Sequence, residues 1–380
     1  MGPEHSNTQI HLEYKYPKNL KPRKMAFLTL DHAKLKHNYQ FLDQLFRETG
    51  TDWAVVTKLL CGNEAYLREV LKLGVKEVCD SRASNLAKIK AINPEVQTVY
   101  IKPPAPGAIE AVVRYADVSF NSESSTIRML SEEAQRQKKI HKVTIMIELG
   151  DLREGIMGDN LIGFYKKVFE LPNIEVVAIG ANLNCLHGVM PSEDKLIQLS
   201  LYKQLIEATF HKNIPWITGG TSVVLPLLMR RQVPIAINHF RIGETLYFGN
   251  DLVNGQTFEG MKSDVIRLYS EIIELTKKPK IPTGMLSTNP SGESYEINED
   301  DYGKESYRAI LDIGLLDISP DFLIPEDDKV EIVNASSDML IVDLGEAPGD
   351  YKVGSLLSFR LKYMGALRLL NSDYIEKRVV

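Results

Sequence analysis

Between about residues 26 and 249 the chain alternates short apolar runs with amphipathic stretches, and this rhythm narrows the available folds more than any other feature. Repeated strand and helix patterns at such spacing build a parallel sheet covered by helices. Eight runs stand out, at 53–58, 77–80, 98–102, 118–121, 143–149, 176–182, 216–218 and 236–241, and each but the last is followed by a helical pattern. Eight such units in roughly 200 to 250 residues point to closure as a (β/α)8 TIM-type barrel. The first helix illustrates the pattern. Leu35, Tyr39, Leu42 and Phe46 recur every three to four residues, leaving His32, Lys36, Gln40 and Asp43 for water, as expected of a helix coating a barrel.

Past Gly249 the rhythm changes to shorter runs of strand type at 265–275, 307–313, 330–333, 339–342 and 356–361, separated by Pro, Gly and Asp. The expected organisation is an N-terminal tail over 1–24, a barrel over 25–250 and a C-terminal β-rich domain over 251–380. The polar stretch 286–304 reads as a long loop. Met1, Gly2 and Ser6 formally fit a myristoylation pattern, but nothing basic nearby supports a membrane role, so the segment is read as a simple tail.

Composition removes several classes of partner. The 380 residues carry a net charge of -5 with both signs interleaved, so no basic stripe exists to track a phosphate backbone, and nucleic acid is not expected. No apolar run approaches the roughly 18 to 20 residues that span a bilayer, so no membrane role is expected. Cys61, Cys79 and Cys185 are odd in number and far apart, which fits neither a zinc site nor a secreted disulfide framework and points to a reducing cytoplasm. The expected ligand is a small molecule, with no metal.

Active sites of such barrels form at the C-terminal ends of the strands, so the polar residue closing each run carries the information. Lys58 closes the first. A partly desolvated amine there has a lowered pKa and becomes a nucleophile, whereas a lysine merely snorkelling from a strand end is the structural alternative. After the seventh run come Thr218, Gly219, Gly220, Thr221 and Ser222, and after the eighth Arg241, Ile242, Gly243 and Glu244. Glycines admit backbone N–H groups to an anion and the hydroxyls add donors, so both loops read as a phosphate cradle; each alone reads equally well as a helix cap. A lysine on the first run together with both loops is far more specific than any one part.

These fragments resemble the pyridoxal-phosphate barrel family of the alanine racemases, most closely its ornithine or amino-acid racemase branch, over nearly the whole chain. The resemblance lies in Val56, Thr57 and Lys58 with Gly62 and Asn63; in 79–82, 147–155, 182–191, 218–222, 238–249 and 335–338; and in Tyr363 with 372–379. It implies that pyridoxal 5'-phosphate is held as an aldimine on Lys58, which then exchanges the Cα proton of an amino acid on one face. Arg153 matches the arginine that closes over the substrate carboxylate. Gly220, Thr221, Ser222 and Gly243 match the phosphate loops, Tyr363 a tyrosine reaching the same phosphate, and Asn182 a strand end facing the cofactor. Arg241 matches an arginine at the pyridine nitrogen; the alternative is a structural ion pair with Glu244. Asp338 suits the side chain of a basic substrate such as ornithine or lysine, or it simply ties a turn.

The resemblance further implies a head-to-tail homodimer and an amino-acid racemase acting on a basic amino acid or on alanine. Two alternatives are a lyase such as a decarboxylase, whose relatives place an acid at the pyridine nitrogen, and a non-catalytic cofactor binder. The chain departs from the family where a second proton-carrying tyrosine is expected: the stretch 283–289 has none, and Thr288, Tyr302 and Tyr307 remain as substitutes.

Overall fold

A computed structural model describes residues 26–289, 292 and 294–380, so the expected tail over 1–24 and its myristoylation pattern lie outside the described residues. Eight parallel strands close into a barrel: β2 (Asp52–Val56), β3 (Glu77–Asp80), β4 (Gln97–Tyr100), β5 (Val118–Asn121), β6 (His141–Met146), β7 (Ile174–Gly180), β8 (Trp216–Thr218) and β9 (His239–Ile242). β9 closes the ring by pairing with β2 from Asp52↔His239 to Val55↔Ile242. These are the eight apolar runs of the sequence. Even the last is followed by a helix, of five residues.

The intervening helices are α1 (His32–Thr49), α2 (Glu64–Leu71), α3 (Ala83–Ile92), α4 (Ile109–Tyr115), α5 (Ser124–Arg136), α6 (Leu161–Phe169), α7 (Glu193–Phe210), α8 (Leu225–Met229) and α9 (Glu244–Phe248). α1 shows why they form and where they stop. Asp31 accepts a bond from the Lys34 N–H at 3.0 Å, Gly50 ends the helix at φ 65, and Leu35, Leu42 and Phe46 are buried as their spacing requires. The buried Asn38 donates to the carbonyls of Leu246 and Lys262 and accepts from the Lys262 N–H, fastening α1 to the end of the barrel.

Strand alternation splits the apolar residues into two cores. Ala54, Val56, Cys79, Val99, Val118 and Phe120 fill the barrel interior, while Val55, Val78, Ile145 and Ile179 face the helices.

The β-rich region is one sheet ordered β14 (Leu323–Pro325), β17 (Leu356–Leu361), β12 (Ile266–Pro279), β13 (Glu305–Leu311), β16 (Leu340–Asp343), β15 (Glu331–Ala335). A two-residue pair, β10 (Asn250–Asp251) and β11 (Gln256–Thr257), bridges the two parts. One expectation is corrected. The segment 25–250 was expected to be all barrel, but β1 (Phe27–Leu30) pairs with β12 and with β18 (Glu376–Val379), so the chain starts in the other sheet. An apolar run is suited to any half-buried edge, and its partner is fixed only by tertiary pairing. The helix α10 (Tyr363–Asn371) packs on the turn that carries Lys58, and this is how the β-rich region reaches the barrel mouth.

Among the described residues no helix is long and apolar enough to cross a membrane, and no cluster of His, Cys, Asp and Glu is arranged to hold a metal ion. Between β12 and β13 the described residues are mostly exposed and carry one short turn, Glu299–Asp301.

His141, fully buried at the start of β6 and bonded through Nε2 to the Ser119 hydroxyl at 2.8 Å, has its pKa pushed down to about 4, chiefly by burial and secondarily by the charge of Lys139. In the unfolded chain it titrates near 6.5. Below that pH the unfolded state binds a proton that the folded state refuses, so stability falls between pH 6.5 and 4 and this loss levels off below. The loss should reach at most ~3 kcal/mol. Urea unfolding across this window should show a shallower decline for His141→Gln than for the native chain; equal slopes would contradict the assignment.

Candidate active site

The C-terminal ends of the barrel strands surround a cavity of about 610 Å³. Lys58, Arg153, Asn182, Thr221, Ser222, Arg241, Gly243 and Tyr363 all line it, so the structure brings together nearly every residue singled out from the sequence.

Lys58 lies two residues beyond β2, where the backbone leaves the strand in a tight turn, Lys58–Leu60, ended by Cys61 at φ 50. The root of that turn is rigid. The Thr57 hydroxyl donates to the Asp80 carboxylate at 2.9 Å, and the other Asp80 oxygen accepts from the Arg82 N–H and the Asn85 amide, both at 3.0 Å. The Lys58 side chain is exposed at the cavity mouth. Desolvation lowers its pKa most; Cys185 opposes this, Arg153 adds to it, and Asp80 and Glu244 oppose it. A lysine so placed is closer to a free amine than one in water.

Two backbone turns face Lys58. Gly220, at φ 146, adopts a conformation that side-chain-bearing residues rarely reach, and Thr221 and Ser222 follow directly into a 3-10 turn, Ser222–Val224. Gly243 sits against Val56 at the head of α9, and the Ser222 hydroxyl is shared with the Thr245 N–H across the two turns at 3.4 Å. Tyr363, the first residue of α10, comes over from the β-rich region; burial pushes its phenol pKa up.

Arg241 is the most deeply buried charge of the site, only 2% exposed. Burial lowers its pKa, but an arginine so bonded stays cationic. Nη1 donates to the Thr218 hydroxyl and carbonyl, and Nη2 donates to the Ala181 carbonyl at 2.9 Å and to Asn182 Oδ1 at 2.6 Å. The guanidinium also stacks over the Phe120 ring at 5.1 Å. Both Nη groups are thus committed to protein, leaving Nε–H as the donor still available. Glu244, the alternative ion-pair partner, instead accepts from Asn250 at 2.9 Å.

Arg153 and Asn182 lie on two loops that are stitched together. The loop after β6 leaves at Glu148 and returns at Ile156, whose N–H bonds the Met146 carbonyl, while the Glu148 N–H bonds the Ile156 carbonyl. Gly155 allows this return, because a Cβ there would stand 2.3 Å from the Glu148 nitrogen. At the loop's centre the buried Asp151 accepts four backbone N–H bonds, from Cys185, Leu186, His187 and Val189, at 2.9–3.2 Å. Burial alone would raise its pKa, but these bonds outweigh that and hold it below the ordinary carboxylate range. His187 is bonded through Nδ1 to the Asp151 carbonyl at 2.8 Å and does not line the cavity. Arg153 Nε meets Glu154 at 2.9 Å, and the other Glu154 oxygen accepts from the Asn182 amide.

Sequence reasoning gave no role to Asp151, Glu154 or Asp80, and it read Thr218 as part of the phosphate loop, whereas the structure places it on Arg241. The adjacency of Glu154 to Arg153 was the one available signal. The structure does not bring Asp338 to the cavity of its own chain; it sits in the turn between β15 and β16, where Ser336 and Ser337 donate to it. Thr288 and Tyr302 are exposed, Tyr307 lies on β13, and none of the three lines the cavity.

Residues 30–251 match the family described as alanine racemase, N-terminal domain. The chain is 36% identical over 354 residues to the ornithine racemase of Acetoanaerobium sticklandii, covering 93% of this chain and 99% of the relative. It is 27% identical over 350 residues to the lysine racemase of Thermotoga maritima, covering 92% and 97%. In fold it is similar to alanine racemase of Clostridium difficile 630, with a TM-score of 0.72 at 12% identity over 94% of this chain and 96% of that one. The alanine racemase of Bartonella henselae with covalently bound pyridoxal phosphate gives 0.71 at 16% identity over 94% and 99%.

The Asp151 clamp generates a direct test. In Asp151→Ala the amides of residues 185, 186, 187 and 189 lose their acceptor, so their hydrogen exchange should accelerate together, with a stability loss of about 1–3 kcal/mol. Unchanged protection at those four amides would show that the loops are held by other contacts.

Proposed function

This chain belongs to the alanine racemase family, and from that premise we propose that it is a pyridoxal 5'-phosphate-dependent racemase of a basic amino acid, ornithine or lysine. The observation that carries this reading is the meeting of Lys58, the hydroxyl turn at Thr221 and Ser222, Gly243 and the buried Arg241 in one cavity. The relatives named for ornithine and lysine support the substrate class.

The residues present fit the cofactor. Gly220, Thr221, Ser222 and Gly243 would hold its phosphate, with Tyr363 closing over it, and Lys58 would hold its aldehyde. When bound, the cofactor supplies an electron sink that makes the Cα–H of an amino acid acidic. Arg241 would offer its Nε–H to the ring nitrogen, with Asn182 beside it. Because arginine keeps its proton, Arg241 would hydrogen-bond the ring nitrogen without protonating it, which would favour return of a proton over loss of carboxylate. The lyase alternative expects an acid at this position, where the chain has Arg241. Arg153 would take the substrate carboxylate, as a planar donor with two Nη groups suits. Lys58 Nζ, partly desolvated, would carry the proton on one face.

A homodimer is part of the proposal. Asp338, Thr288, Tyr302 and Tyr307 lie away from the cavity of their own chain, and a second copy docked head to tail is the arrangement that would deliver a carboxylate to a basic side chain and a proton carrier to the second face. A reducing cytoplasm suits the three free thiols.

The test is incubation of cofactor-loaded protein with a panel of L-amino acids in deuterated water, following Cα deuterium and chirality together. Ornithine or lysine should exchange and racemise, and Lys58→Ala should lower both by about a thousandfold or more. Exchange that persists in Lys58→Ala would overturn the role of this lysine, and a panel without exchange would overturn the racemase reading.

A further inference from the structure

The two arginines of the cavity are joined by an unbroken chain of hydrogen bonds. Arg241 Nη2 donates to Asn182 Oδ1 at 2.6 Å, Asn182 Nδ2 donates to one oxygen of Glu154, and the other oxygen of Glu154 accepts from Arg153 Nε at 2.9 Å. Chemistry leaves one way to arrange it. An arginine only donates and a carboxylate only accepts, so the amide between them must turn its oxygen to Arg241 and its nitrogen to Glu154. A flipped amide would set donor against donor on one side and acceptor against acceptor on the other.

We propose that Glu154 is a positioning residue that fixes both arginines: it holds Arg153 by Nε, so that the two Nη groups face the cavity end-on, and it sets the Asn182 amide that orients Arg241. This deepens the racemase reading above and rests on it. The side-chain placement supports the assignment. Glu154 is largely buried, with a side chain 10% exposed, whereas Arg153 is 36% exposed and needs a fixed partner to hold one orientation. The backbone under Glu154 is itself fixed, because Gly155 returns directly onto the end of β6. Nη1 and Nη2 of Arg153 have no partner among the described residues, so a carboxylate ligand finds both free.

A purely electrostatic role for Glu154 predicts the opposite sign. Removing a negative charge beside Arg153 strengthens its attraction for a carboxylate, so Glu154→Gln would then bind the amino acid more tightly. As a positioning residue it weakens binding. A glutamine amide cannot accept on both sides; one side becomes a donor-to-donor contact, and either Arg153 or Asn182 must turn away.

Native protein, Glu154→Gln and Glu154→Asp are to be compared for KM and kcat with the amino acid that the native chain racemises. The visible absorbance and pyridoxal 5'-phosphate affinity of each are measured without any amino acid. The expected result for Glu154→Gln is a KM raised about tenfold or more with a smaller fall in kcat, and a displaced absorbance band. Glu154→Asp keeps the charge but is a methylene too short to bridge both partners, so it should shift KM the same way, and it serves if the glutamine variant does not fold. In an Arg153→Lys background the added effect of Glu154→Gln on KM should shrink to less than about twofold, because the two act as one unit. An unchanged or lowered KM, or full multiplication of the two effects, would overturn the inference while leaving the racemase reading intact. A native chain that neither binds the cofactor nor racemises would overturn that reading, and this inference with it.

Discussion

A guanidinium buried inside a barrel must find acceptors, and the arrangement of this site follows from that requirement. Arg241 lies on β9, the strand that closes the ring, and its partners come from the ends of β7 and β8. Leaving such a charge without acceptors would cost several kcal/mol, so the strand ends must stand at the heights and angles that satisfy it. Asn182 is fixed by this demand, and through Asn182 so are Glu154 and Arg153. The polar layer of the cavity is therefore continuous from the closing strand to the loop after β6.

A second constraint acts on the loops themselves. Irregular backbone near a cavity has N–H groups that need acceptors, and Asp151 supplies them for a whole stretch of the neighbouring loop. The Thr57 hydroxyl, donating to the Asp80 carboxylate, anchors the root of the turn that carries Lys58. The chemically active side chains thus stand on segments held by carboxylates that never reach the cavity. α10 adds a wall from the β-rich region and seats Tyr363 opposite the barrel, so the site belongs to both parts of the chain.

Much of the barrel and of its mouth was legible in the sequence because both follow local rules. Apolar runs of strand length separated by amphipathic helices fixed the count of eight, and the polar residue at the end of each run had to face the mouth. Lys58 and Arg241 close such runs, whereas Ser222 was singled out by its glycine loop and Asn182 by the family resemblance. What escaped was set by partners distant in the chain. β1 reads like any short apolar strand, yet it pairs with β12 and β18, more than two hundred residues away in sequence. Asp151 reads like a turn residue until its four donors are seen, and Asp338 is separated from the cavity of its own chain although its motif pointed there.

The sequence by itself determined the period of the elements, their closure into a barrel and the types of side chain at the strand ends, because alternation and helical spacing are written residue by residue. Only the tertiary structure decided which charges meet. The bonds from Arg241 to Asn182, from Asn182 to Glu154 and from Glu154 to Arg153 depend on the tilt and height of separate strands within a few tenths of an ångström. No local pattern encodes that, because a hydrogen bond fails over a displacement far smaller than the one that separates neighbouring residues.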